Sequence, residues 1–133
     1  MIRFLHVAFG LHILVETPAA LNFFLNPSEE LQLVTPSPSA EAVVRQYALL
    51  LLCSNIIALV FLLRHIDKAS RHVGFALGFY HLGPSLRAMS RLVRNETALG
   101  LSLGGPVVHL VAHMACLAAL TTGLFPWLAR NKR

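Results

Sequence analysis

Glu16 is the only carboxylate that falls inside an apolar run of this 133-residue chain, and His12 stands four residues before it. On a helix that spacing leaves the two about 40° apart around the axis, close enough to touch. Tyr80 and His81 form a second polar pair, and His109 and His113 a third, again at i and i+4. Buried Glu and His side chains can exchange a proton with a bound molecule, so Glu16, His12, His81 and His113 are the candidate acid–base residues. Arg45, Tyr47, Asn55, Tyr80, Arg87 and His109 are candidates for holding a substrate or an oxyanion. The plain alternative is that these groups only satisfy one another between packed helices. The His109/His113 spacing can hold a metal, but Leu110, Val111 and Ala112 fill the interval with no general-base glutamate. A metal is therefore not expected.

The surroundings give these residues their interest. The composition is 56% hydrophobic and 13% charged, with a mean hydropathy of +0.64. That is more apolar surface than one small core can hide, so lipid is the expected solvent. An ionised side chain at mid-bilayer costs about 2.5–3.5 kcal/mol even on lenient insertion scales, so one that persists there needs a reason.

A spanning helix takes about 20 apolar residues, and four such runs are separated by charge, Pro or Asn. They cover about 4–25, 45–64, 72–92 and 106–128. The expected fold is all-α, a single four-span domain over residues 1–133, built as an antiparallel four-helix bundle in a membrane. Pro27, Pro36, Ser37, Pro38 and Ser39 mark the first connection, with Ser39 a candidate N-cap. Arg64 to Arg71 makes a tight basic hairpin, Gly104-Gly105-Pro106 opens the last span, and Gly83-Pro84 is expected to kink the third and free a carbonyl. Gly74, Gly78, Ala112, Ala115 and Ala119 provide surfaces for close helix packing. A signal peptide is the competing reading of the first run, but His6, His12 and Glu16 interrupt what should be a plain apolar segment.

Arg3, Arg64, Lys68, Arg71, Arg130, Lys132 and Arg133 fall on the side of the termini, against Arg45, Arg87, Arg91 and Arg94 on the other. The positive-inside rule then puts both termini in the cytoplasm; the membrane expected is the endoplasmic reticulum or a related endomembrane. Alternating helix directions collect Glu16, Tyr47, His81, Arg87, His109 and His113 in the non-cytoplasmic half, opposite an apolar half with Leu59, Val60, Phe61, Leu62, Leu117 and Leu120. A funnel of that kind suits an amphipathic molecule with a long apolar tail. It offers no ring of like charges for ion conduction. The net charge of +5 flanks the spans instead of forming a basic stripe with aromatics, which excludes nucleic acid. Cys53 and Cys116 lie in apolar runs and are expected to be free thiols.

Leu14-Val15-Glu16-Thr17-Pro18, Arg45-Gln46-Tyr47 and Tyr80-His81-Leu82 occur in an order that resembles small four-helix membrane proteins of filamentous fungi, including a largely uncharacterised domain family. The resemblance spans about residues 4–91. It departs at Gly78, where an acidic residue is expected three positions before the histidine. Similar proteins occur in fungal polyketide and meroterpenoid gene clusters, where membrane enzymes open epoxides to diols, cyclic ethers or carbocycles. The resemblance thus implies cofactor-independent acid–base opening of an epoxide in a lipophilic substrate. The other reading is a noncatalytic scaffold or lipophilic-ligand-binding accessory protein. Expected partners are the bilayer, the lipophilic small molecule and, in either reading, a second copy of the chain or other pathway enzymes.

Overall fold

The computed structural model describes residues 4–28, 37–95 and 104–122. Among these the fold is all-helical, with α1 at Phe4–Leu25, α2 at Pro38–Leu63, α3 at Lys68–Tyr80, α4 at Leu82–Val93 and α5 at Gly105–Thr122. Three of them, α1, α2 and α5, are long and apolar enough to cross a membrane. The third apolar run is divided between α3 and α4. Arg3, Arg130, Lys132 and Arg133, and the end of the last expected span, lie outside the described residues.

α2 begins seven residues before the expected 45. Ser37, not Ser39, is its N-cap, accepting from the Ala40 amide, and Pro38 takes the first helical turn. A proline there loses nothing, because its missing N–H would have no intrahelical partner. Residues 38–44 are short of leucine but fit a helix well, so hydropathy alone places the boundary too late.

The third run breaks at His81 instead of bending at Gly83-Pro84. Pro84 has no N–H to give the Tyr80 carbonyl, and its ring disfavours a regular turn just before it. The chain answers with a tight turn. His81 sits at φ −65°, ψ −11°, and its N–H bonds the Gly78 carbonyl at 3.0 Å. The Ser85 hydroxyl and amide both donate to the His81 carbonyl, at 2.8 and 3.2 Å.

At the hairpin between α2 and α3, Asp67 caps α3. Its carboxylate accepts from the Ser70 amide, and the Ser70 hydroxyl accepts from the Asp67 amide. The Ser70 bonds, chiefly that from its amide, hold the Asp67 carboxyl below the usual carboxylate range. Arg64 adds an ion pair at 2.8 Å.

α1 packs against α2, α5 and α3, and α5 also carries α3 and α4. The buried stripe of α1 runs Leu5, Ala8, Phe9, His12, Glu16 and Ala20, spaced by three and four as one helical face requires. Its first half joins Ala58, Ile66, Leu77 and Leu120 in a dry core. Its second half is polar. Outward the pattern inverts, for Leu14, Leu50, Ile56, Leu63 and Val111 are all more than 60% exposed.

Gly74 and Gly78 let α3 approach its neighbours closely. A Cβ at Gly78 would meet Thr121 Cγ2 at 2.9 Å and Leu120 Cβ at 3.2 Å, and one at Gly74 would meet Leu5 Cδ1 at 3.1 Å. Thr121 is stiff at its β-carbon and its hydroxyl is bonded to the Leu117 carbonyl, so it yields poorly. Gly78→Ala is expected to destabilise the protein by about 1–3 kcal/mol, as overpacking does. Gly83→Ala, where a Cβ meets nothing within 4 Å, is the control and is expected to be neutral or slightly stabilising. Denaturant unfolding in detergent micelles checks both. The Asp67 cap gives a second expectation. With a lowered folded-state value, its stabilisation is full above the unfolded carboxylate range and is lost as pH falls through the folded value. Asp67→Asn should flatten that acid limb of a melting-temperature profile.

Candidate functional site

Four buried ionisable side chains from three segments meet at the centre of the described structure. α1 supplies His12 and Glu16, the break between α3 and α4 supplies His81, and α5 supplies His113. All four are nine-tenths or more buried. Their order is a chain. His12 Nε2 is 3.1 Å from Ser54 Oγ, His12 Nδ1 is 3.0 Å from His81 Nε2, and His81 Nδ1 is 2.8 Å from His113 Nδ1.

One end of this chain is fixed, which assigns its protons. The Ser54 hydroxyl donates to the Leu51 carbonyl at 2.7 Å, so Ser54 Oγ accepts from His12 Nε2–H. In a neutral ring His12 Nδ1 is then an acceptor and receives the hydrogen bond of His81 Nε2–H, so that a neutral His81 has its Nδ1 bare. The direction of every bond follows from one serine.

Glu16 lies beside the far end of the chain. Its Oε1 is 3.4 Å from both His81 Nδ1 and His113 Nδ1, yet forms no hydrogen bond. Its Oε2 accepts from the Tyr80 hydroxyl at 3.3 Å, and Tyr80 is bonded in turn to Tyr47 at 2.8 Å. Phe23 stacks on Tyr47 and His109 on His113, with ring centroids 5.9 and 6.3 Å apart.

From this cluster Glu16, His113, Tyr80 and Tyr47 reach the wall of a cavity of about 470 Å³, within the range of small-molecule sites. Glu16, Tyr47, Tyr80, Arg87, Arg91, His109 and His113 give its lining a polar side. Val15, Ala19, Phe23, Pro84 and Val108 give the apolar one.

Of the sequence-derived candidates, Glu16, His12, His81, His113, Tyr80 and Tyr47 are brought together, and Arg87 and His109 line the same cavity. Arg45 does not join them; it pairs with Glu41 at 3.6 Å on the same helix. Asn55 is buried but turns to Thr17, donating to its hydroxyl at 3.0 Å. His12 lies beside Glu16 as expected, their ligand atoms within 4.8 Å of one another, but its hydrogen bonds go to His81 and Ser54. Ser54, Arg91 and Phe23 escape a reading by residue type. Ser54 had one signal, a hydroxyl beside Asn55 in an otherwise apolar run, and Arg91 resembles a headgroup-seeking side chain at a helix end. Cys53 and Cys116 are free thiols, the first exposed and the second buried.

Ser54→Ala removes the acceptor for a buried N–H and is expected to cost about 1–3 kcal/mol. Ser54→Thr keeps the hydroxyl and should restore most of that loss. Unfolding midpoints of the two variants in the same detergent check the pair.

Compared with known proteins, the chain matches no family model, no curated protein and no solved structure.

Proposed function

We propose that this chain is a four-span membrane protein whose cavity carries out acid–base opening of an epoxide in a lipophilic, oxygenated small molecule of the polyketide or meroterpenoid type. The observation that carries the reading is the single cavity wall on which Glu16, His113, Tyr80 and Tyr47 converge, beside an apolar side able to take a hydrocarbon skeleton.

The membrane part rests on the inverted surface. Large apolar side chains face outward while His12, Glu16, Asn55, His81 and His113 are buried, the reverse of what water selects. α3 and α4 together cover 68–93, which at 1.5 Å per residue is about 39 Å, enough for a fourth crossing. In this arrangement the helices alternate in direction, both termini are cytoplasmic, and the membrane is the endoplasmic reticulum or a related endomembrane.

The chemistry balances without an oxidant or reductant. Glu16, as the acid, gives its proton to the epoxide oxygen while the ring C–O bond breaks. The oxygen of a water or internal hydroxyl bonds the released carbon, and its proton passes to His113. The 3.4 Å between His113 Nδ1 and Glu16 Oε1 is short enough for the proton to return after modest motion. Arg87, which lines the same cavity, would hold the developing oxyanion, while the Tyr47 and Tyr80 hydroxyls pass their hydrogen bonds on to Glu16. The Asn55–Thr17 bond favours a second reading for part of the polar set, in which buried polar groups serve helix packing alone, as in a noncatalytic scaffold or ligand-binding accessory protein.

Glu16→Gln keeps the shape of the side chain and removes its titratable proton. Purified wild-type protein in micelles is expected to consume an epoxide-bearing lipophilic polyketide, and the Gln variant to be slower by about 10²-fold or more. A folded, thermally stable variant with wild-type turnover would remove Glu16 from the reaction. Topology is checked separately with reporter fusions after Ser37 and His65, expected on opposite faces of the membrane. Labelling of both from one side would sink the four-span arrangement.

A further inference from the structure

Three atoms around the buried carboxylate form a small triangle. His81 Nδ1 and His113 Nδ1 are 2.8 Å apart, and Glu16 Oε1 is 3.4 Å from each. A hydrogen bond accounts for the two nitrogens, since one ring can donate to the other. It does not account for Oε1, which belongs to a residue 1% exposed and has no hydrogen-bond partner. A buried carboxylate oxygen left in that state is costly, and a native structure rarely tolerates it without a ligand or counter-ion.

We propose that Glu16, His81 and His113 bind one divalent transition-metal ion of the zinc class, through Oε1 and the two Nδ1 atoms, with its open position towards the cavity. The site departs from the metal-free expectation drawn from sequence. In tetrahedral zinc sites with bonds of about 2.0–2.1 Å, neighbouring ligand atoms stand about 3.3 Å apart. Two edges of the triangle match that separation, and a small rotation of either ring opens the third. An ion about 2.05 Å from all three atoms stands about 0.8 Å out of their plane, so one side of the triangle stays accessible. Two imidazoles and one carboxylate make a three-ligand set of the kind found in catalytic zinc sites, and nitrogen donors disfavour magnesium and calcium.

The surrounding bonds are those such an ion needs. Ligation through His81 Nδ1 forces its proton onto Nε2. That is the tautomer the network demands, because His81 Nε2–H donates to His12 Nδ1, His12 Nε2–H to Ser54, and Ser54 to the Leu51 carbonyl. Metal-binding histidines are commonly oriented in this way through the second nitrogen. The other carboxylate oxygen is held by Tyr80. His12 also has a ligand atom within 4.8 Å of those of Glu16 and His81. Both its nitrogens are engaged in the chain, so it acts as a positioning residue.

The inference deepens the reading of this cavity as a reaction site and changes two roles in it. With the ion bound, Glu16 and His113 are both ligands; the ion would supply the acid at the epoxide oxygen, and the proton of the attacking water or hydroxyl would end on that oxygen as the ring opens.

The test uses the full chain purified in detergent, stripped with chelator and reloaded with Zn²⁺ or Co²⁺. The expected result is about one ion per chain by elemental analysis and, for Co²⁺, the intense visible absorption of a four-coordinate site. Glu16→Gln and His113→Ala should abolish that spectrum, and the surface variant His72→Ala should keep it. His12→Phe should weaken binding by about 10–100-fold, with His12→Gln recovering part of the loss, as expected for a residue acting through His81. A folded wild-type protein that takes up no Co²⁺, or uptake unchanged by Glu16→Gln and His113→Ala, would overturn the proposal. Stoichiometric, Glu16-dependent binding without epoxide turnover supports the metal site and removes the epoxide reading. Turnover that persists in metal-free protein, with no Co²⁺ uptake, overturns the site and leaves acid–base opening by Glu16 in place.

Discussion

One carboxylate with almost no access to solvent organises this protein. Burying Glu16 among apolar helices carries a penalty of several kcal/mol unless neighbouring groups offset it, and much of the polar sequence is arranged around that need. Tyr80 reaches one oxygen, His81 and His113 flank the other, and His12 and Ser54 hold His81 in place. The helices supplying these groups must therefore meet at one level. Close packing at Gly74 and Gly78 brings α3 against α5, which sets the approach of His81 to His113.

The break at His81 is part of the same constraint. In an unbroken helix the His81 side chain and backbone would follow the regular turn. The tight turn imposed ahead of Pro84 sets the ring where both nitrogens have partners, while Ser85 satisfies the His81 carbonyl. A local defect in one helix thus places the residue that links α1 to α5. The dry core of Leu5, Phe9, Leu77 and Leu120 lies on one side of this layer, and the cavity on the other.

Much of the architecture was legible because apolar length is a strong signal. The runs at 4–25 and in the second and last segments correspond to long helices, and Glu16, His81 and His113 stand out because ionisable groups are rare in such runs. Two kinds of information were not legible. The i, i+4 spacing puts His12 beside Glu16 on one face, but it cannot say which neighbouring helix offers His12 a better bond, and His81 and Ser54 win. Arg45 has the right type at the right end of a helix, yet Glu41 one turn earlier captures it. In both cases the outcome depends on side-chain partners set by tertiary packing. The start of α2 was missed for a local reason, since proline signals a loop in a hydropathy scan and a favoured first turn in a helix.

If the chain spans a bilayer as proposed, the anchored end of the histidine chain bears on proton leakage across it. Relays that let protons leak across membranes need exchangeable groups continuing to both faces. Here the line runs from the cavity through His113, His81 and His12 to Ser54, whose hydroxyl is spent on the Leu51 carbonyl. Beyond it Ala8, Phe9 and Ala58 are fully packed and carry no exchangeable group on their side chains. Along this line the polar layer is a blind alley: in the membrane arrangement proposed above, it would exchange protons with the cavity alone and would not pass them from one face to the other.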